Sequence, residues 1–367
     1  MYKGIIRLLI VALSIGTGFC SSALACTDFR ITAQDGTVII TRSLEFALDL
    51  KSNLRNSPRG RTVNTVSPDG KPGMAWKAKY GYLFLDGLGI DATVDGMNEQ
   101  GLSFEYLYLP GETKYQVVPQ GQEKQALPYM QFGDWVLANF KSVDELRQAL
   151  TKIYVTTQKL PGLGDTVFPL HAAIYDASGN GLVVELIDGK MRIYDNKLGL
   201  LTNAPTYNWH LANLRNYINL TPLAPKPVIA QGITFIATGQ GGGMLGLPGD
   251  VSPPSRFIKT AVLQQTAFPV ATADTAINLA EHIINNVDIP LGLVREAKTG
   301  TATNESTQWV VFKDLTHKKF YFRTYKNMTL RFVSLAQVDF SENAVRFSMP
   351  IASNEYAQDV STQFTKK

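Results

Sequence analysis

The stretch SSALACTDFRIT, residues 21–32, decides how this chain is read. What precedes it has the three parts of an export signal. Lys3 and Arg7 supply positive charge, Leu8 to Ile15 form an apolar run, and Ala23 and Ala25 place small residues at the −3 and −1 positions of a cleavage site. The apolar run is too short to cross a bilayer, which takes about 20 such residues. Beyond Ala25 the residues alternate as a β-strand does. A cut between Ala25 and Cys26 makes a cysteine the first residue of the mature chain.

Cysteine usage sharpens the question. Of the two cysteines, Cys20 leaves with the signal segment and Cys26 remains. A single thiol cannot form an internal disulfide, and in an oxidising compartment it is a liability. Three readings are open at this point. A lipoprotein also starts at cysteine, but its signal normally carries Leu at −3, where this chain has Ala23, and a polar tether follows it rather than a strand. A buried structural thiol is common, yet it leaves the coincidence with the cleavage site unexplained. The third reading is chemical. An N-terminal cysteine carries a thiol of pKa about 8.5 and an α-amine of about 7.7–8.0, so the amine can serve as base to its own nucleophile. No histidine is required, and His171, His210, His282 and His317 fall in no catalytic or metal-binding spacing. They read as structural or surface residues.

Composition bounds the partners. Lys and Arg number 35 against 31 Asp and Glu, and losing Lys3 and Arg7 brings the two closer still. That balance argues against nucleic acid or an anionic membrane as main partner. No later segment reads as a membrane span, so stable membrane insertion is not expected. Hydrophobic residues make up 45% of the chain, enough for a large core. No repeat or composition break divides residues 26–367, which read as one domain.

Along that domain, TDFRITAQDGTVIITRSLEF (27–46) alternates around an Asp35-Gly36 turn and predicts a hairpin. Residues 52–73, rich in Ser, Pro, Gly and Arg, read as a loop. Strands resume from Tyr80 to Leu109. Helical spacing predicts one helix over 131–153, with Ser142 and Glu145 as a capping box. A second set of strands fills 171–195, helices are predicted at 208–218, 254–266 and 273–287, and antiparallel strands close the chain from Thr307. Hairpins with intervening helices predict an α+β class: two antiparallel sheets covered by helices.

Five segments in this order resemble the choloylglycine hydrolase family, cysteine N-terminal-nucleophile hydrolases that include conjugated bile acid hydrolases and penicillin V acylases. They are CTDFR (26–30), TRSLEF (41–46), DGMNEQGLSFEYLYLPG (95–111), LLTNAPTYNWHLANLRNY (200–217) and GLPGDVSPPSRF (246–257). The resemblance implies a four-layer αββα fold and hydrolysis of linear, non-peptide amides without metal or organic cofactor. It further implies a homo-oligomer, a tetramer. Carried over by position, Cys26 matches the nucleophile, Arg42 an arginine beside the thiol, and Asn203 an amide donor to the tetrahedral intermediate. The backbone N–H of Tyr108 matches the second oxyanion donor and Arg256 a further active-site arginine. The glycines of GQGGGMLGLPGD (239–250) precede no Gly-Lys-Ser/Thr, which argues against a phosphate loop.

Two residues depart from the family pattern. Where Asp-Trp is usual, this chain has Glu45-Phe46. Glu45 keeps the charge that would hold the α-ammonium of Cys26, displaced by one methylene. Phe46 removes an indole N–H from a substrate-facing position. The expectation is an exported enzyme, periplasmic or secreted, acting on a small N-acyl amide: penicillin V, an acyl homoserine lactone or a conjugated bile acid. The competing expectation is a non-catalytic binding protein of the same fold, lipid-anchored at Cys26.

Overall fold

The computed structural model describes residues 25–160, 166–296 and 303–357; the signal segment lies outside the described residues. Two large antiparallel sheets form the centre. The first runs, in order of neighbours, Leu200–Leu201, Cys26–Thr32, Val38–Phe46, Thr303–Asp314, Lys319–Thr324 and Asn327–Ser334, with Val294–Glu296 paired to one end of Thr303–Asp314. The second runs Lys190–Asp195, Gly181–Ile187, Leu170–Tyr175, Ser103–Tyr108, Ile90–Asn98, Tyr82–Gly87, Asn53–Ser57 and Ser348–Pro350.

The sheets are apolar on both faces, and each face has a partner. Phe29, Ile39, Ile40 and Val311 of the first sheet join Leu83, Leu85, Met97 and Val183 of the second in one buried core, together with Phe257, Ile258, Ile277 and Ile284 from the helices Pro253–Thr266 and Ala273–Ile284. On the other side, Phe84, Phe104, Ile174 and Val184 pack with Trp135, Leu137 and Leu146 from the helices Phe132–Asn139 and Val143–Leu150. The layers are therefore helix, sheet, sheet, helix, as expected.

Local signals explain most elements. Val38–Phe46 is buried along almost its whole length because it sits between two other strands and between two layers. Gly36 turns the first hairpin at φ +87°, a conformation that costs glycine little. Two expectations are corrected. Residues 52–73 contain the strands Asn53–Ser57 and Thr62–Val66, whose pairing with Tyr82–Gly87 and Pro72–Lys77 overrides a loop-like composition. The helix predicted over 131–153 is two helices. Phe140 is extended, and Ser142 starts the second by accepting from the Glu145 N–H at 3.3 Å.

Candidate active site

Cys26 opens the first strand with a relative exposure of 4%, still joined to Ala25 in the described chain. Its register is fixed by pairing to Leu44, which places Arg42 and Glu45 of the neighbouring strand beside it. One Nη2 N–H of Arg42 points to Cys26 Sγ at 3.6 Å, and the same nitrogen donates to the Tyr106 carbonyl at 2.6 Å. The guanidinium lies over the Trp309 ring, 4.6 Å from its centroid. Its Nε and Nη1 have no hydrogen-bond partner among the described residues.

Asn203 and Arg256 close the other side. Asn203 Oδ1 accepts from the Cys26 N–H at 2.5 Å and from Arg256 Nη2 at 2.7 Å, which fixes the orientation of the amide. Its Nδ2 then faces the opposite way, one hydrogen going to the Tyr108 carbonyl at 2.9 Å. Arg256 reaches the Cys26 carbonyl and Thr27 Oγ1 with Nη1, and Nε is held by the Val251 carbonyl. The family resemblance implies a role for the Tyr108 backbone N–H; the contact between Tyr108 and Asn203 runs through the Tyr108 carbonyl.

Glu45 is fully buried, yet its carboxylate does not meet the Cys26 nitrogen. Oε1 accepts from Thr307 Oγ1 at 2.7 Å, Oε2 has no hydrogen-bond partner among the described residues, and the Glu45 N–H donates to the Ala25 carbonyl at 2.9 Å. Burial pushes its carboxyl up to about 7, against the pull of Arg256 and the Thr307 hydroxyl. Burial also pushes the Cys26 thiol up, with Arg42 the strongest opposing influence. A thiol held protonated by its surroundings needs a base placed on it before it can attack.

The sequence reading missed the residues behind Asn203. His171 lies between Glu185 (3.2 Å) and the Thr202 carbonyl (2.9 Å), while His210 Nε2–H donates to the Asn203 carbonyl at 2.8 Å. Burial lowers His210 to about 4, so it is neutral, and its ring stacks on Phe257 with centroids 4.7 Å apart. These histidines are structural, as expected, but what they hold is the Asn203 turn. Thr307 was missed as well, since a strand threonine carries no signal of its own.

Cys26, Arg42 and Glu45 line a cleft that encloses about 700 Å³, its open mouth included. Its walls are apolar: Leu44, Phe46, Leu50, Leu88, Ile90, Val94, Met130, Phe168 and Leu170, with Tyr106 and Tyr108 near the thiol. Phe46 therefore faces the cavity, edge-on to Phe168 at 6.2 Å.

Two stacked antiparallel sheets between helix layers, with a buried cysteine heading the first strand, define the fold of the N-terminal-nucleophile hydrolases. Residues 26–347 match the family of linear amide C–N hydrolases, choloylglycine hydrolase family, and the chain belongs to it. It is 30% identical to a bile salt hydrolase/transferase of Clostridium perfringens over 88% of this chain and 95% of the relative. A penicillin V acylase of Pectobacterium atrosepticum is 26% identical over 90% and 86%. Among solved structures, a mutant conjugated bile acid hydrolase from Clostridium perfringens superimposes with a TM-score of 0.76 at 28% identity, covering 88% of this chain and 96% of that one. Penicillin V acylase from Agrobacterium tumefaciens gives 0.72 at 25% identity, covering 90% and 92%. The chain is thus an amidohydrolase of this type.

Proposed function

We propose that the protein is exported, that removal of residues 1–25 frees the α-amine of Cys26, and that this amine activates the Cys26 thiol against the carbonyl of an N-acyl amide. The amine takes the thiol proton as sulfur bonds to the carbonyl carbon. The second Nδ2 hydrogen of Asn203 and a backbone N–H at Tyr108 receive the oxyanion; such donors are worth on the order of 3 kcal/mol each in barrier height. Collapse breaks the C–N bond, the proton passes to the leaving amine, and a thioester remains on Cys26. Water, deprotonated by the same α-amine, then releases the acid. No step calls for a metal or organic cofactor, and a periplasmic or secreted location suits the signal segment.

The observation that carries this reading is the placement of Cys26 on an apolar cavity, its Sγ against Arg42 and its backbone held by Asn203 and Arg256. That cavity suits a hydrophobic acyl group of the kind carried by penicillin V, acyl homoserine lactones or conjugated bile acids. Hydrolysis of these three classes by mature wild type, Cys26→Ala and Ala25→Arg is the test. Wild type should cleave at least one class; Cys26→Ala should lose turnover while still binding, and uncleaved Ala25→Arg should be inactive though folded. Turnover by Cys26→Ala would put the nucleophile elsewhere, and a diacylglyceryl adduct on Cys26 would favour the lipid-anchored binding protein.

Self-association belongs to the same reading. The hairpin Val228–Ala230 with Ile233–Phe235 carries Val228, Ile229, Ile233 and Phe235 more than half exposed, which supports a homo-oligomer, a tetramer by family resemblance. Light scattering on Ile229→Asp with Phe235→Asp should read a smaller species than wild type; equal masses would remove the hairpin from assembly.

A further inference from the structure

The ladder between Val38–Phe46 and Thr303–Asp314 slips by one residue beside the active site. Thr307 pairs with Glu45 and Trp309 with Leu44, so Gln308 opposes no residue. A bulge of this kind re-aims a side chain, and here the side chain turns onto the segment that leaves the strand. Gln308 Nε2 donates to the Phe46 carbonyl at 2.9 Å and to the Leu48 carbonyl at 2.7 Å, and Oε1 accepts from the Leu50 N–H at 3.0 Å. The next residue, Trp309, donates from Nε1 to Ser52 Oγ at 3.1 Å while its ring supports Arg42.

The clamped segment has no ladder of its own between Phe46 and Asn53. Lys51 within it takes a positive φ of 46°, and Leu48 is exposed. Yet Phe46 and Leu50 point into the Cys26 cavity. Something must hold a segment with so little regular structure if it is to present a fixed wall, and every hydrogen-bonding group of the Gln308 side chain is spent on it.

We propose that Gln308 is a specificity-determining positioning residue, holding residues 46–50 so that Phe46 and Leu50 form a set boundary of the acyl cavity. Its substrate consequence rests on the amide-hydrolase reading above; the clamp rests on the three hydrogen bonds. Gln308 makes no hydrogen bond to Cys26, Arg42, Asn203 or Arg256, so its loss should appear in how the acyl group is bound and selected rather than in the chemical step.

Gln308→Met keeps length and volume and removes all three bonds. Gln308→Glu keeps an acceptor for Leu50 N–H and removes both donors. Against a series of N-acyl amides of increasing acyl length, Gln308→Met should raise KM about tenfold for the preferred member, as expected when a few hydrogen bonds of modest net worth are lost. Its kcat should stay within about twofold, and the length preference should flatten toward the discrimination a loose apolar pocket allows. Amide hydrogen exchange at Leu50 should speed by about tenfold or more in Gln308→Met and much less in Gln308→Glu. Unchanged KM and length preference, or a fall in kcat alone, would overturn the specificity role; unchanged Leu50 exchange would overturn the clamp. Should wild type hydrolyse none of the amides, the amide-hydrolase reading and the substrate role built on it fall, while Leu50 exchange still decides whether the clamp exists.

Discussion

Two buried charged centres meet at the strand Cys26–Thr32 and solve opposite problems. At the Cys26 end, Arg42 lies against the thiol, while Arg256 is drawn first to Glu45 and then to Cys26, Glu305 and Asp250. Further along, Lys313 Nζ bridges Asp95 and Glu105 of the opposite sheet at 2.6 Å each, and Asp28 stands close by with the Tyr175 hydroxyl donating to it. All four charged groups of this second centre are fully buried. The first centre brings two guanidiniums to Cys26 and opens on a cavity. The second has three carboxylates to one ammonium and bridges the two sheets.

That difference separates chemistry from architecture. Guanidiniums beside a cavity, with Arg42 Nε and Nη1 unpartnered among the described residues, suit a negative charge, while Glu45 opposes one on Cys26. A negative surplus in the interior is relieved by protons. Burial first, then Glu105, holds Asp28 well above the carboxylate range, and burial raises Glu105 despite Lys313. Perturbed ionisation occurs in both centres, so perturbation alone would not have told them apart. A guanidinium against the thiol and access to a cavity do.

The largest expected effect breaks the interior centre. Lys313→Met removes the one cation and strands two buried carboxylates, which should cost about 3–5 kcal/mol in urea unfolding. Glu105→Gln, by contrast, relieves crowding of negative charge and should be neutral or stabilising near pH 8. If Lys313→Met unfolds at the wild-type midpoint, the centre is already neutralised by protons and Lys313 is not its counter-ion.

The two centres were not equally legible in the sequence. Cys26 could be found because it follows Ala-Leu-Ala, whereas Arg42 on strand alternation alone reads as a surface arginine and joins the site only through the family resemblance. Asn203 and Arg256 came with the family resemblance, and the structure joins them by a direct hydrogen bond at 2.7 Å. Lys313, Asp95 and Glu105 gave no sign, since each looks like a solvated charge until two sheets from distant parts of the chain are stacked. Asn53–Ser57 was hidden by a composition that favours loops. The bulge at Gln308 was invisible for another reason: it is a mismatch between two strands and exists in neither alone.

The smaller effects sharpen the comparison at Glu45. The unfolded carboxyl ionises near 4.5, while the folded one keeps its proton until about 7. Between those values the native state holds the extra proton, so stability falls as pH rises, by up to about 3 kcal/mol in all. Glu45→Gln lacks that slope, so its stability relative to wild type should improve across the same window, read from urea midpoints at pH 4.5, 6 and 7.5 in uncleaved chains. Activity should move the other way. If Glu45 supplies the charge for the α-ammonium once Ala25 is removed, mature Glu45→Gln should lose on the order of 10- to 1000-fold in kcat/KM, and Glu45→Asp less. In the cleaved chain the new ammonium should itself favour ionised Glu45 and shrink the wild-type slope. Thr307→Val gives the smallest change. It removes the hydroxyl donated to Oε1 at 2.7 Å, raises Glu45 further and should cost about 1 kcal/mol near pH 7.5, where the carboxylate is ionised; Thr307→Ser should restore it. A Glu45→Gln variant with wild-type turnover would move Glu45 from the reactive centre to the architectural one, leaving Cys26, Arg42, Asn203 and Arg256 as the working set.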